Sequence, residues 1–189
     1  MKLFNYFTRD KAHRFEKQIR PHLDSLHRYA SRLTGQPDDA EDLVQELLLS
    51  LYRKDINLDT LDNAATWLLK SLYHQFIDFT RKQKRNPGLP NTESFEDLIS
   101  ALPDEHHQAE QLAEQAALQR HIQVALTSLN PEQRALVVLH DMEGFALPEL
   151  VPILDVPLGT LKSRLHRARQ TLRENIFMEP SAATERVTG

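Results

Sequence analysis

Apolar positions recur along most of this chain with the spacing of an α-helix rather than the alternation of a strand. Ile19, Leu23, Leu26, Ala30 and Leu33 step by four, three, four and three, which lines them along one helical face. Pro21 is expected to kink or start that helix, and Gly35 to end it. Pro37 and Asp38 open a second helix that buries Leu43, Val44, Leu47, Leu48 and Leu51 and leaves its acidic side outside. A third, over residues 65–84, carries Trp67, Leu68, Leu69, Leu72, Tyr73, Phe76, Ile77 and Phe79 before it runs into the basic string RKQKR. Beyond residue 113 the pattern predicts four more helices. Ala116, Ile122, Leu126 and Leu129 line the first, and Asn130-Pro131-Glu132-Gln133 supplies a cap, a first-turn proline and a capping-box glutamine for the next. Ala135, Val138, Leu139 and Met142 bury that helix, and residues 147–154 form a short apolar one. Asp155-Val156-Pro157 is a tight break, after which Leu161, Leu165, Ala168 and Leu172 form the stripe of a last helix. Short helix, tight turn and second helix make a helix-turn-helix pattern.

Composition narrows this picture to an all-α protein of two small helical domains. In 189 residues there are five glycines, 40% hydrophobic residues and 26% charged ones, as in an ordinary globular chain. With no cysteine, disulfides, thiolate metal sites and cysteine nucleophiles are excluded. No apolar run reaches the roughly 18 to 20 residues of a membrane span, and residues 3–7 are too short for a signal peptide, so a cytoplasmic protein without membrane insertion is expected.

Charge is segregated. The net value of −4 hides basic blocks at residues 81–85 and 162–173 and acidic ones at residues 38–46 and 93–114. Residues 86–119 contain no Lys or Arg, and Pro87, Gly88, Pro90 and Pro103 break regular structure there. An acidic linker is expected, within which Phe95, Leu98, Ile99 and Leu102 could form one short amphipathic face. His106 and His107 are adjacent and cannot share a helical face, so no metal site or other cofactor is expected.

Two segments point to nucleic acid. Lys162, Arg164, Arg167, Arg169 and Arg173 lie mostly off the last helix's apolar stripe, with Pro157, Gly159 and Thr160 at its entrance, an arrangement suited to phosphates. Trp67 to Phe79 followed by Arg81, Lys82, Lys84 and Arg85 places rings beside cations, as single-stranded nucleic acid requires. Rings at this spacing serve equally as core, and a basic face can be merely solvated.

The strings RYASRLTGQPDDAEDLVQELLLSLYR, WLLKSLYHQFIDFTRKQKR and ALTSLNPEQRALVVLHDMEGFALPELVPILDVPLGTLKSRLHRARQTL resemble, in this order, regions 2 and 4 of the extracytoplasmic-function group of bacterial sigma-70 factors. The resemblance spans about residues 14 to 175. It implies a region 2-like domain over 11–85, a linker over 86–112, a region 4-like helix-turn-helix over 113–178 and a disordered tail over 179–189. It implies that Asp39, Asp42, Leu43, Gln45 and Glu46 bind core RNA polymerase. His74, Gln75, Arg81, Lys82, Lys84 and Arg85 would contact the minus-10 element of promoter DNA, and Thr160, Lys162, Ser163, Arg164 and Arg167 the minus-35 element. A protein inhibitor, an anti-sigma factor, is a further partner that the resemblance implies. His74 stands where such factors often carry Asn, and Pro148 and Pro152 stand where Glu-like residues are usual, so the short helix should be kinked or partly 3₁₀.

Two other classes share features with this pattern. A one-component regulator would also have a helix-turn-helix, but its other half should form a ligand pocket or dimer surface. A sigma-like module that only sequesters a partner would differ by failing to support core-dependent transcription. No phosphate loop, nucleophile elbow or paired histidine ligands suggest an enzyme.

Overall fold

The computed structural model describes residues 2–85 and 108–178, and the regular elements among them are all helical. Helix α1 spans Lys2–Ile19, and Pro21 ends it in a 3₁₀ turn over Arg20–His22. Helix α2 continues at once as Leu23–Thr34 and stops at Gly35, whose φ of 79° is left-handed and lets its N–H donate to the Ser31 carbonyl at 2.9 Å. Helix α3, Pro37–Lys54, has proline at its start and Asp38 and Asp39 in its first turn, where the free N–H groups favour negative charge. A 3₁₀ turn over Leu58–Thr60 leads to α4, Ala64–Arg85, whose first turn is held by the Asn63 side chain accepting from the Thr66 N–H at 2.9 Å.

The second half begins with α5, Gln108–Thr127, so the last five residues of the expected linker are helical instead. The rest of that linker and the 179–189 tail lie outside the described residues. Helix α6, Pro131–Val137, opens on a complete capping box: the Asn130 side chain accepts from the Gln133 N–H at 2.8 Å, and the Gln133 side chain accepts from the Asn130 N–H at 3.3 Å. It then widens into a π turn over Val138–Met142, with the Glu143 N–H donating five residues back to Val138. Helix α7 is Leu147–Leu154, and α8 is Leu158–Met178.

The expected 3₁₀ character of α7 is not present; it is α-helical throughout. Pro148 sits in the first turn, where its missing donor costs nothing. Pro152 and Pro148 are both exposed, so the carbonyl that Pro152 leaves without a donor meets solvent. Glu149 helps by accepting from the Ala146 N–H at 2.7 Å, and Asp155, with φ of 55°, closes the helix in left-handed conformation.

One continuous buried cluster runs through both halves. Tyr29, Leu26, Leu33, Leu47, Leu68, Leu72 and Phe76 fill it in the first; Leu136, Leu139, Leu150, Ile153 and Leu161 fill it in the second. Burying such side chains is worth roughly 1.5 to 3 kcal/mol each, which fixes the face that each helix presents to solvent.

Candidate protein-docking and nucleic-acid surfaces

Helix α3 presents the first surface. With Leu43, Val44, Leu47 and Leu51 turned into the core, Glu41, Asp42, Gln45, Glu46 and Leu49 are left facing outward. Asp42, Gln45, Glu46, Leu49, Arg53 and Lys54 line an open groove of about 640 Å³, which Gln75 of α4 joins from the other side. Its charge changes sign along the helix, from carboxylates to cations, around a Leu49 that is 52% exposed. A large apolar side chain ringed by charge is suited to a helical protein partner. Of the five residues expected to dock on polymerase, Leu43 is 3% exposed and Asp39 is 9% exposed; Asp42, Gln45 and Glu46 are the three that reach the surface.

The second surface is the end of α4. Leu68, Leu69, Leu72, Tyr73, Phe76 and Ile77 are buried, and Trp67 and Phe79 pack partly against the core, so the aromatic residues serve packing first. Arg81, Lys82, Lys84 and Arg85 are all exposed in the last turns, where cations also complement the helix dipole. Arg81 pairs loosely with Asp78 at 3.4 Å. His74 and Gln75 part company: Gln75 points to the α3 groove with its buried Oε1 unpartnered among the described residues, while His74 is exposed on another side of the helix.

The third surface is α8. Leu161, Leu165 and Ala168 are buried, which turns Thr160, Lys162, Ser163 and Arg167 to solvent. The Ser163 hydroxyl donates to the Thr160 carbonyl at 3.0 Å, and Arg167 Nε donates to the Ser163 carbonyl at 3.4 Å, so both are held near the helix entrance. Beside them a smaller cleft of about 230 Å³ gathers Lys162, His166, Arg169 and Arg173 next to Leu147. Arg169 is tied to Asp141, donating from Nε at 3.1 Å, and this hydrogen bond raises the guanidinium pKa further above its ordinary value. Such a run of exposed cations on one helix is an arrangement suited to a polyphosphate.

Arg164 is the exception on α8. It is half-buried, and its guanidinium lies beside the hydroxyl of Tyr73 on α4. Burial, and secondarily the charge of Glu132, raise the Tyr73 pKa, with Arg164 opposing them. One helical turn away, the Asp155 carboxylate accepts from Lys70 Nζ at 2.6 Å and faces His74 Nε2 at 3.3 Å. The hydrogen bond from Lys70 holds the Asp155 carboxyl below its usual range, with the charges of Lys70 and His74 adding to the effect. Glu143 in turn is gripped by Arg28, at 3.2 Å, and by Arg32. Gln123 donates to the Arg32 carbonyl at 3.3 Å, and a Cβ at Gly35 would come within 2.6 Å of the Gln123 amide nitrogen.

Arg134 stitches the same seam. Its guanidinium donates to the carbonyls of Leu33 at 2.6 Å, Leu126 at 2.9 Å, Thr127 at 3.2 Å and Leu129 at 3.4 Å, joining the ends of α2 and α5. Burial lowers its pKa, though an arginine, the most basic of the side chains, stays charged. Asp155, Glu143, Arg134 and Gln123 have no place in a motif-based reading, since each acts on a residue some 85 to 115 positions away. The one sign of Asp155 in the sequence is the tight break it opens.

Residues 18–86 match the family model of sigma-70 region 2, and residues 119–172 match that of sigma-70 region 4. The chain is 34% identical over 171 residues to the ECF RNA polymerase sigma factor SigE of Mycolicibacterium smegmatis, covering 90% of this chain and 65% of that one. It is 32% identical over 158 residues to the ECF RNA polymerase sigma factor SigM of Mycobacterium tuberculosis, covering 84% of this chain and 74% of that one. Its fold is similar to the sigma factor RpoE of Bartonella quintana, solved with the anti-sigma factor NepR. The TM-score is 0.62 at 26% identity, over 87% of this chain and 98% of that chain.

Proposed function

The chain belongs to the extracytoplasmic-function group of the sigma-70 family, and from that premise we propose that it binds core RNA polymerase and directs it to promoters by contacting minus-10 and minus-35 elements. The observation that carries this reading is the exposure, on one helical frame and in family order, of an acidic α3 face, a basic α4 end and a basic α8 face. Asp39, Asp42, Leu43, Gln45 and Glu46 form the polymerase-docking helix, in which Leu43 acts from the core by holding the outward residues in place. His74, Gln75, Arg81, Lys82, Lys84 and Arg85 belong to the minus-10 side; Thr160, Lys162, Ser163, Arg164 and Arg167 belong to the minus-35 side. Cations to phosphate set position and affinity, and side chains to base edges set sequence.

The functional units are residues 11–85, the linker over 86–112, residues 113–178 and the tail over 179–189. The protein works in the cytoplasm, where its polymerase and promoter partners are, and the regulation expected of it is capture by an anti-sigma factor. The RpoE structure with NepR supports that expectation. No helix among the described residues is long and apolar enough to cross a membrane. The test is transcription in vitro with purified core polymerase on a panel of genomic fragments. Specific initiation that requires this protein is the expected result. A protein that binds core and yields no promoter-specific transcript would instead be a sequestering module, and the reading would fall.

A further inference from the structure

Helix α8 carries, between two cationic flanks, a line free of Lys, Arg, Asp and Glu. Gly159, Ser163, His166 and Gln170 follow one another at steps of four, three and four residues, and all are exposed. At about 100° per residue this line runs almost opposite the buried Leu161, Leu165 and Ala168. Lys162 and Arg173 stand on one side of it and Arg167 on the other. A helix in the major groove turns its outermost line to the base edges and its flanks to the phosphates of the two strands. Cations on both flanks, with hydrogen-bonding groups between them, match that division between positioning and readout.

Most of the line's hydrogen-bonding capacity is already engaged. The Ser163 hydroxyl donates to the Thr160 carbonyl at 3.0 Å, and the Gln170 amide donates at 3.0 Å to Glu174, a carboxylate that phosphates repel. Gly159 has no side chain, and the space a Cβ would take there is open. His166 has no hydrogen-bond partner among the described residues, and it stands with Lys162 in the cleft where Arg169 is held by Asp141. An imidazole presents at least one ring N–H in either protonation state. Every base pair offers N7 as an acceptor in the major groove, always from its purine, so a lone donor placed against N7 fixes which strand carries the purine. We propose that His166 reads a purine N7 in the minus-35 element, with Lys162 and Arg167 on the phosphates to either side. It demands a purine at one position without choosing between adenine and guanine. The proposal rests on the assignment of α8 to the minus-35 element and adds to it the residue that sets sequence.

The test uses holoenzyme assembled from the full chain and core polymerase, on synthetic duplexes of a promoter identified by transcription of the genomic panel. Each purine of the minus-35 element is replaced in turn by its 7-deaza analogue, in which a C–H stands for N7 and base pairing is kept. At one position the wild type should lose about three- to tenfold in affinity. His166→Ala keeps the helix, because the site is exposed and alanine is the best helix former. This variant should lose the same factor on the natural duplex and nothing further at that position, with the slope of log affinity against log salt unaltered. The proposal is overturned if no 7-deaza loss disappears in His166→Ala, or if that variant lowers the slope as loss of a phosphate contact does. The functional reading fails separately. A panel without any promoter, or promoter-specific transcription that survives Arg167→Ala combined with His166→Ala, removes α8 as the reader and His166 with it. Transcription that depends on Arg167, with every 7-deaza loss unchanged in His166→Ala, removes His166 alone.

Discussion

Tyr29 has a fully buried side chain, and its hydroxyl has no hydrogen-bond partner among the described residues. An unsatisfied buried donor costs about 1 to 3 kcal/mol, so Tyr29→Phe should stabilise the protein by about 1 kcal/mol in urea denaturation. Burial pushes the Tyr29 pKa well up, so the folded chain keeps the phenolic proton where the unfolded chain loses it. That contribution to stability is whole below the ordinary tyrosine value of 10.0 and declines as pH rises above it; the Phe variant should lose this part of the alkaline decline. Arg134 is the opposite case, a charge whose burial is compensated by four carbonyls. Arg134→Ala removes their shared donor and should cost about 2 to 3 kcal/mol in the same assay. A loss within about 0.5 kcal/mol would mean that the carbonyls find other partners at no expense. Neither residue stands out in the sequence: Tyr29 fits the α2 stripe and Arg134 an ordinary polar face.

At the level of single helices, exposure separates what binds from what packs. Asp42 and Glu46 lie on the outer side of α3 with no shared role in the core, so reversing both to Lys should leave helical content by circular dichroism unchanged and weaken co-purification with core polymerase. Undiminished recovery of the complex would remove α3 from the polymerase interface. On α8, Arg167→Ala should lower the slope of log affinity against log salt on minus-35 duplex by about 0.9 if the guanidinium neutralises one phosphate. An unchanged slope would class Arg167 as a solvated surface residue. The positions of all these helices are legible from apolar spacing, because one buried stripe per helix is what the core demands. Pro152 misleads, because a proline's cost depends on whether the orphaned carbonyl is buried, and that is decided by neighbours distant in sequence. The π turn at Val138–Met142 leaves no mark, since Val138, Leu139 and Met142 read as an ordinary α stripe.

For the molecule as a whole, the buried cluster is continuous across both halves, so the free chain should unfold as a single unit. Calorimetry should give one transition with equal calorimetric and van't Hoff enthalpies; two resolved transitions would show that the halves melt independently. The division into two helical domains is visible in the charge pattern and the proline-rich stretch between them. The ion pairs that join them are not, because Lys70, His74, Arg28 and Arg32 look like surface residues until the chain brings Asp155 and Glu143 to them.

The π turn between α6 and the loop before α7 holds one residue more than an α-helix would need to cover the same rise, and that surplus sets the rotational phase of the chain beyond it. Each residue of an α-helix advances the chain by about 100°. Taking one residue out of Val138–Met142 would regularise the hydrogen bonds locally and swing the outgoing chain by that angle. Asp141 would turn away from Arg169, and Glu143 from Arg28 and Arg32. The extra residue therefore works as a gear tooth, so that the register of one short helix sets the heading of the entire helix-turn-helix.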